Sequence, residues 1–275
     1  MALSTLMACL HLDRSNAGLL AVVGDVAERF KCSVIGVAAK QAAAHADILA
    51  TGPHAPHEHN LHRFAEHASA AEAEFRAALS RVDNLDWRAT MTSGPAYQHV
   101  ADEARAADLV IAPVDRHNRS LLPSGEAEVG DLLMRLGRPV LAAPAAAPGF
   151  RFGQALVCFK DVREARRAVA DAVPILQAMD RVDVVELVEA RALDEARRRV
   201  GDVGDWLARH GIHATCSAIL ANGVEAAQLT GLARDLQADL IVAGGFGHSR
   251  LREWAFGGVT RDLLLRGERC VLASH

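Results

Sequence analysis

Gly244-Gly-Phe-Gly247-His-Ser-Arg-Leu-Arg-Glu-Trp-Ala-Phe-Gly257-Gly258 is the stretch whose reading decides the fold. It follows the apolar run Ala238-Asp-Leu-Ile-Val-Ala243 and leads into Val259-Thr-Arg-Asp-Leu-Leu-Leu265. The order is strand, glycine loop, helix. Glycines permit positive φ and close approach of a ligand to the backbone. The unpaired N–H groups and dipole of the following helix favour an anion there, and phosphate is the obvious candidate.

The same pattern occurs twice. Asp108-Leu-Val-Ile111 and Asp239-Leu-Ile-Val242 are separated by 239 − 108 = 131 residues. That offset also pairs Leu132-Leu133 with Leu263-Leu264, Arg135 with Arg266, and Val140-Leu141 with Val271-Leu272. A constant register of this kind marks an internal repeat. Gly94-Pro-Ala-Tyr97 and Gly223-Val-Glu-Ala226 open corresponding helices with a two-residue change of length. Ala143-Pro-Ala-Ala-Ala-Pro-Gly149 reads as the linker, so the expected domains are 1–144 and 152–275.

Each copy alternates strand and helix. In the first, strands are expected at Thr5–Leu12, Ser33–Ala39, Leu85–Thr92, Leu109–Ala112 and Pro139–Ala142. Helices are expected at Asn16–Lys31, Leu61–Arg81, Pro95–Ala106 and Glu126–Leu136. The second copy repeats this from Ala155 to Ser274. Short apolar runs separated by amphipathic helices imply parallel strands with right-handed crossovers. Ligands in such sheets sit beyond the carboxyl ends of the strands, where the strand order reverses.

Composition narrows the function classes. The 275 residues are 51% hydrophobic and 23% charged, which supports a packed core rather than disorder. A net charge of −4 and the lack of a basic, aromatic-interleaved stripe argue against nucleic acid or a membrane surface as partner. Cys9, Cys32, Cys158, Cys216 and Cys270 form no C-x-x-C pair and read as buried reduced thiols. Ala2–Leu10 lacks a basic leader and a small-residue cleavage site, so it reads as a strand, and the expected location is cytoplasmic. No apolar run reaches membrane-spanning length.

The spacing G-x2-G-x9-G at Gly244, Gly247 and Gly257, after D-L-I-V and before a V-x-x-x-L-L helix, resembles the universal stress protein family. The likeness spans nearly the whole chain as two tandem copies. It extends to Ala155-Leu-Val-Cys-Phe159, the helix start Arg163-Glu-Ala165 and the closing Cys270-Val-Leu-Ala-Ser-His275. It implies an α/β fold of two tandem flavodoxin-like, adenine nucleotide α-hydrolase-like domains, each a five-stranded parallel sheet with helices on both faces. It further implies that the last strands of the copies, Pro139–Ala142 and Cys270–Ser274, pair at sheet edges and join the domains as an intramolecular pseudo-dimer. A homodimer and a protein partner of unknown kind stay open.

By position, the resemblance sets Gly244 and Gly247 against ribose and phosphate, with Gly257, Gly258 and Val259 offering backbone N–H groups to the phosphates. Val188 would meet adenine through its backbone, and the ligand would be ATP, ADP or AMP. His248 and Ser249 in the loop are further phosphate contacts, and Thr260 partly replaces the hydroxyl that the family carries at Gly258. The family also places an Asp at the end of the first strand. Asp13 fits in the first copy, whereas the matching residue in the second is read as Lys160, beside Asp161. An ammonium cannot accept a hydrogen bond from ribose but can reach a phosphate.

The first copy departs in the opposite direction. Gly244, Gly247, Gly257 and Gly258 map onto Pro113, Arg116, Glu126 and Ala127. Pro113 removes a donor, and Glu126 sets a carboxylate where phosphate charge would sit, so this copy is expected to keep the fold and lose the site. It also carries an insertion of about 18 residues, histidine-rich over 45–67. His59, His62 and Glu66 are spaced for one helix face, which makes His57, His59 and His62 candidate ligands for zinc or nickel. The alternative is a polar loop favoured by Gly52-Pro53 and Ala55-Pro56. Trp87 and Trp206 read as packing residues, and Asp161, Glu164 and Asp239 as helix-start and strand-end residues.

No nucleophile, base and acid set and no paired carboxylates are evident. The expected role is therefore nucleotide binding and signalling rather than fast catalysis. The alternatives are an interaction scaffold without nucleotide, a slow metal-assisted ATP hydrolase, and a metal-responsive regulator.

Overall fold

In the computed structural model the described residues are 3–42, 55–114, 126–245, 259, 262–264 and 268–275, with backbone alone for 55–59. Strands are β1 (Thr5–Cys9), β2 (Ser33–Gln41), β3 (Leu85–Thr92), β4 (Leu109–Val114) and β5 (Val140–Pro144). In the second repeat they are β6 (Gln154–Cys158), β7 (Arg181–Val188), β8 (Ala214–Leu220), β9 (Leu240–Gly244) and β10 (Cys270–Ser274). Helices are α1 (Ala17–Phe30), α2 (Ala55–Ala78), α3 (Ala96–Glu103), α4 (Val129–Arg135), α5 (Arg163–Leu176), α6 (Leu193–Arg209) and α7 (Glu225–Asp235).

Two compact units result. The N-terminal unit comprises Leu3–Arg138 with Ala145–Gly149; the C-terminal unit comprises Pro139–Pro144 with Phe150–His275. In the N-terminal unit the sheet order is β3-β2-β1-β4, parallel throughout. In the C-terminal unit it is β5-β10-β9-β6-β7-β8. There β5 runs antiparallel to β10, pairing Ala142 with Val271, and the other neighbours are parallel. The α/β, mostly parallel class read from sequence is the observed one. The order 3-2-1-4 is that of the other doubly wound sheets rather than the 2-1-3-4-5 order of flavodoxin.

The strands are core. Leu6, Met7 and Ala8 of β1 and Ala155, Leu156 and Val157 of β6 are wholly buried. Strands covered on both faces read as continuous apolar runs, as these do. Helix α1 buries Leu19, Leu20, Val22, Val23, Val26 and Ala27 and stops where Lys31 turns left-handed. Helix α5 buries Ala165, Ala168, Val169, Ala172 and Val173, a spacing of three and four that faces one stripe toward β9 and β10. In the N-terminal unit α1 packs with α2, and α3 with α4, as a sheet covered on both faces requires. Trp87 packs on Phe75 with ring centroids 5.6 Å apart, and Trp206 lies 4.4 Å from the His210 ring.

Helix α2 begins at Ala55, six residues before its expected start at Leu61. Pro56 then stands in the first turn, where the missing N–H has no intrahelical partner to lose, so Ala-Pro does not terminate the helix. No helix among the described residues is long and apolar enough to cross a membrane.

Candidate functional site

In each unit the strand order reverses beside the first strand, between β1 and β4 and between β6 and β9. In the C-terminal unit the crevice at that point is flanked by the residues after β6 and by Gly244, the last residue of β9. Gly244 pairs with Ser274 of β10, and the Gly245 N–H donates to the Ser274 carbonyl at 2.7 Å. The start of α5 lies directly against it. A Cβ on Gly244 would stand 2.5 Å from the Ala165 nitrogen, 2.8 Å from the Glu164 carbonyl carbon and 2.9 Å from the Ala165 Cα. Only glycine lets β9 and α5 approach this closely.

Lys160 follows β6 and is exposed, and among the described residues its amine has no acidic partner. Its carbonyl accepts from the Val162 N–H at 2.7 Å. Asp161, beside it, lies 3.7 Å from Arg166. Val162, at the N-cap of α5, brings no side-chain cap, and Glu164 in the first turn pairs with Arg163 at 3.3 Å. Val188 ends β7, and its carbonyl accepts from the Ala221 N–H at 2.9 Å. Val259 is helical and half-buried, and Asp262–Leu264 are helical as well. Gly247, His248, Ser249, Gly257, Gly258 and Thr260 lie outside the described residues. Of the candidate set, then, Lys160 and Gly244 stand at the ends of the adjacent strands β6 and β9.

The ladders correct one correspondence. Leu6 pairs with Leu109 and Ala155 with Leu240, and the Leu10 and Phe159 N–H groups donate to Val37 and Val185 in the same way. By register Lys160 therefore stands where His11 stands, not where Asp13 stands. The loop from this point to the helix cap, Asn16 in one unit and Val162 in the other, is three residues longer in the N-terminal unit (16 − 11 = 5 against 162 − 160 = 2). Asp13 belongs to those extra residues. The exchange at the aligned position is one base for another.

In the N-terminal unit that base has an internal partner. His11 Nδ1 lies 2.5 Å from one carboxylate oxygen of Glu126, and the other oxygen accepts the Leu12 N–H at 3.0 Å. Arg14 reaches within 4.0 Å of the same carboxylate, which is 6% exposed. A second carboxylate, Glu74 on α2, accepts the Asn16 N–H at 2.9 Å and the Ser15 hydroxyl at 2.9 Å. Asn16, 2% exposed, closes the loop by accepting from the His11 N–H at 2.8 Å and donating to its carbonyl at 3.0 Å. Asp13 is exposed. What burial it has raises its pKa, but the Arg14 hydrogen bond and the charges of Arg14, Lys40 and His11 outweigh this and hold it below its ordinary value.

Sequence reasoning singled out Glu126 but missed its partner His11, the loop residue Asn16 and Glu74 of α2. It also missed the pair beside Val188: Glu186 of β7, 4% exposed, accepts three hydrogen bonds from Arg199 of α6, the shortest 2.7 Å. A lone Glu inside Val184-Val-Glu-Leu-Val188 was the available signal, because a strand core tolerates a carboxylate only when it is paired.

The metal expectation rests on His57, His59 and His62. The side chains of His57 and His59 lie outside the described residues, and His62 is exposed and 3.3 Å from Glu66. Among the described residues no three potential ligands gather. All five cysteines are free thiols, and burial pushes Cys9 and Cys270 up to about 12, far from a reactive thiolate.

The fold and crevice define a doubly wound α/β protein with two repeats. No family model and no curated protein matches the chain. Among solved structures, a universal stress protein from Archaeoglobus fulgidus DSM 4304 superposes with a TM-score of 0.74 at 12% identity, covering 98% of this chain and 94% of that one. A functionally unknown protein from Pseudomonas aeruginosa PAO1 gives 0.58 at 16% identity, with 98% and 92% covered. The likeness is one of fold, and it extends over both repeats.

Proposed function

We propose that the chain is a tandem universal stress protein whose C-terminal unit binds an adenine nucleotide, ATP, ADP or AMP, as a binding and signalling module. The reading rests on the glycine spacing in the sequence together with one observation. At the reversal of strand order, Lys160 is exposed just after β6, beside the strand β9 that ends in Gly244. The N-terminal unit offers the chemical precedent, since the base at the aligned position there already holds an oxyanion, the Glu126 carboxylate. Lys160 would take a phosphate in its stead. The residues at hand fit a phosphate better than a ribose, because the first-strand end supplies a donor and not an acceptor.

The test is mass spectrometry of nucleotide released from freshly purified protein, followed by calorimetric titration with ATP and AMP. A charge-assisted hydrogen bond contributes about 1.5–3 kcal/mol, so Lys160→Gln is expected to weaken binding roughly 10- to 100-fold. Gly247→Glu should abolish it. Equal, negligible binding by wild type and Gly247→Glu would leave the second reading, an interaction scaffold without nucleotide. One observation favours that alternative: Gly244 has a packing role against Glu164 and Ala165 that needs no ligand.

A further inference from the structure

We propose that the N-terminal unit contains a latent oxyanion site, and that Glu126 is its tethered ligand. Two donors converge at the end of β1, the Leu12 N–H and the His11 ring, and the Arg14 guanidinium adds its charge at 4.0 Å while donating to Asp13. The carboxylate they surround is almost wholly shielded from water. An ionised carboxylate only accepts, so His11 Nδ1 is the donor in its contact. A backbone N–H and a ring N–H, one on each oxygen of a planar anion, with a guanidinium charge close by, are the makings of an oxyanion pocket.

The loop that presents these donors is held rigid. Asn16 spans it through both His11 backbone groups, and Glu74 fastens the Asn16 and Ser15 end. The donors therefore stay in place through contacts that do not involve Glu126. The repeat adds an internal comparison, since the residue 131 positions after Glu126 is Gly257. One copy fills the position with its own carboxylate, and the other has no side chain to put there. The ligand class follows from the donors: a small oxyanion, phosphate or carboxylate, bound when the Glu126 side chain is removed. The site is separate from that of the preceding section, so either proposal can fail alone.

The experiment uses the full chain in a Lys160→Gln background, which removes the C-terminal cation from the readout. Thermal unfolding and 31P line broadening are recorded with inorganic phosphate, and unfolding is repeated with sodium formate, against chloride of matched ionic strength. Glu126→Gly is expected to be destabilised in chloride, to regain several degrees of Tm in phosphate or formate, and to bind phosphate at least tenfold more tightly than its parent. Rescue by phosphate but not formate, or the reverse, identifies which oxyanion the pocket accepts. Glu126→Gln, whose carboxamide still fills the position, should show no rescue, and adding Arg14→Gln to Glu126→Gly should reduce it. If Glu126→Gly does not fold in chloride but folds in phosphate, the proposal also stands. An identical response of parent and Glu126→Gly to every anion, or failure of that variant to fold in all buffers, overturns it.

Discussion

Replacing Gly244 by alanine tests whether this glycine is there for packing. The added Cβ would lie 2.5–2.9 Å from three atoms, all of them α5 backbone at Glu164 and Ala165. No flexible side-chain tip can swing aside, so β9 or the start of α5 must shift. Overpacking a close-packed interior costs about 1–3 kcal/mol, and a clash with backbone alone belongs at the upper end. We expect about 3 kcal/mol, which lowers Tm by roughly 10 °C for a unit of this size. Gly201→Ala is the control. Gly201 sits exposed in α6, and a Cβ there would meet nothing within 4 Å, so helix propensity alone should stabilise by up to about 1 kcal/mol. Urea unfolding of both variants, followed by tryptophan fluorescence, reads the difference. A Gly244→Ala protein as stable as wild type would refute the packing account. If it also lost nucleotide binding, the glycine would be explained by the ligand instead.

Two further outcomes follow from other contacts. Arg199→Ala strands the buried Glu186 carboxylate and should cost about 3–5 kcal/mol, whereas the double change Arg199→Met with Glu186→Leu should recover most of it; a single variant no worse than the double would contradict this. Asp13 has a folded pKa below its ordinary 3.8, so its ionisation stabilises the fold fully above that value and the benefit disappears as pH falls through the folded value. Measured unfolding free energies of wild type and Asp13→Asn should therefore differ at pH 6 and approach each other as the pH falls below 3.8; a pH-independent difference would refute the assignment.

Much of the architecture was legible along the chain. The element order, the duplication and the parallel α/β class follow from short apolar runs and helical periodicity, which are local properties. The expected strand Leu85–Thr92 is observed with the same bounds, and Asp239 proves to be a strand-end residue, accepting from the Gln154 N–H at 3.1 Å. Helix ends were less legible, as Pro56 in the first turn of α2 illustrates. A proline before a helix and a proline inside its first turn look the same until the backbone is traced.

The alignment of the two strand ends was not available from sequence. Asp13 and Lys160 each follow an apolar run, and only the ladder to β4 and β9 shows that His11 is the true counterpart of Lys160. The same holds for Glu126 reaching β1 from 115 positions away and for Arg199 finding Glu186. The pairing of β5 with β10, by contrast, was expected from the family resemblance and is observed, with the two strands antiparallel. Sequence by itself determined which segments form strands and helices, because that depends on neighbours a few residues apart. Tertiary structure alone decided which carboxylate meets which base, because those partners are chosen by how the strands register and where the crossovers return the chain.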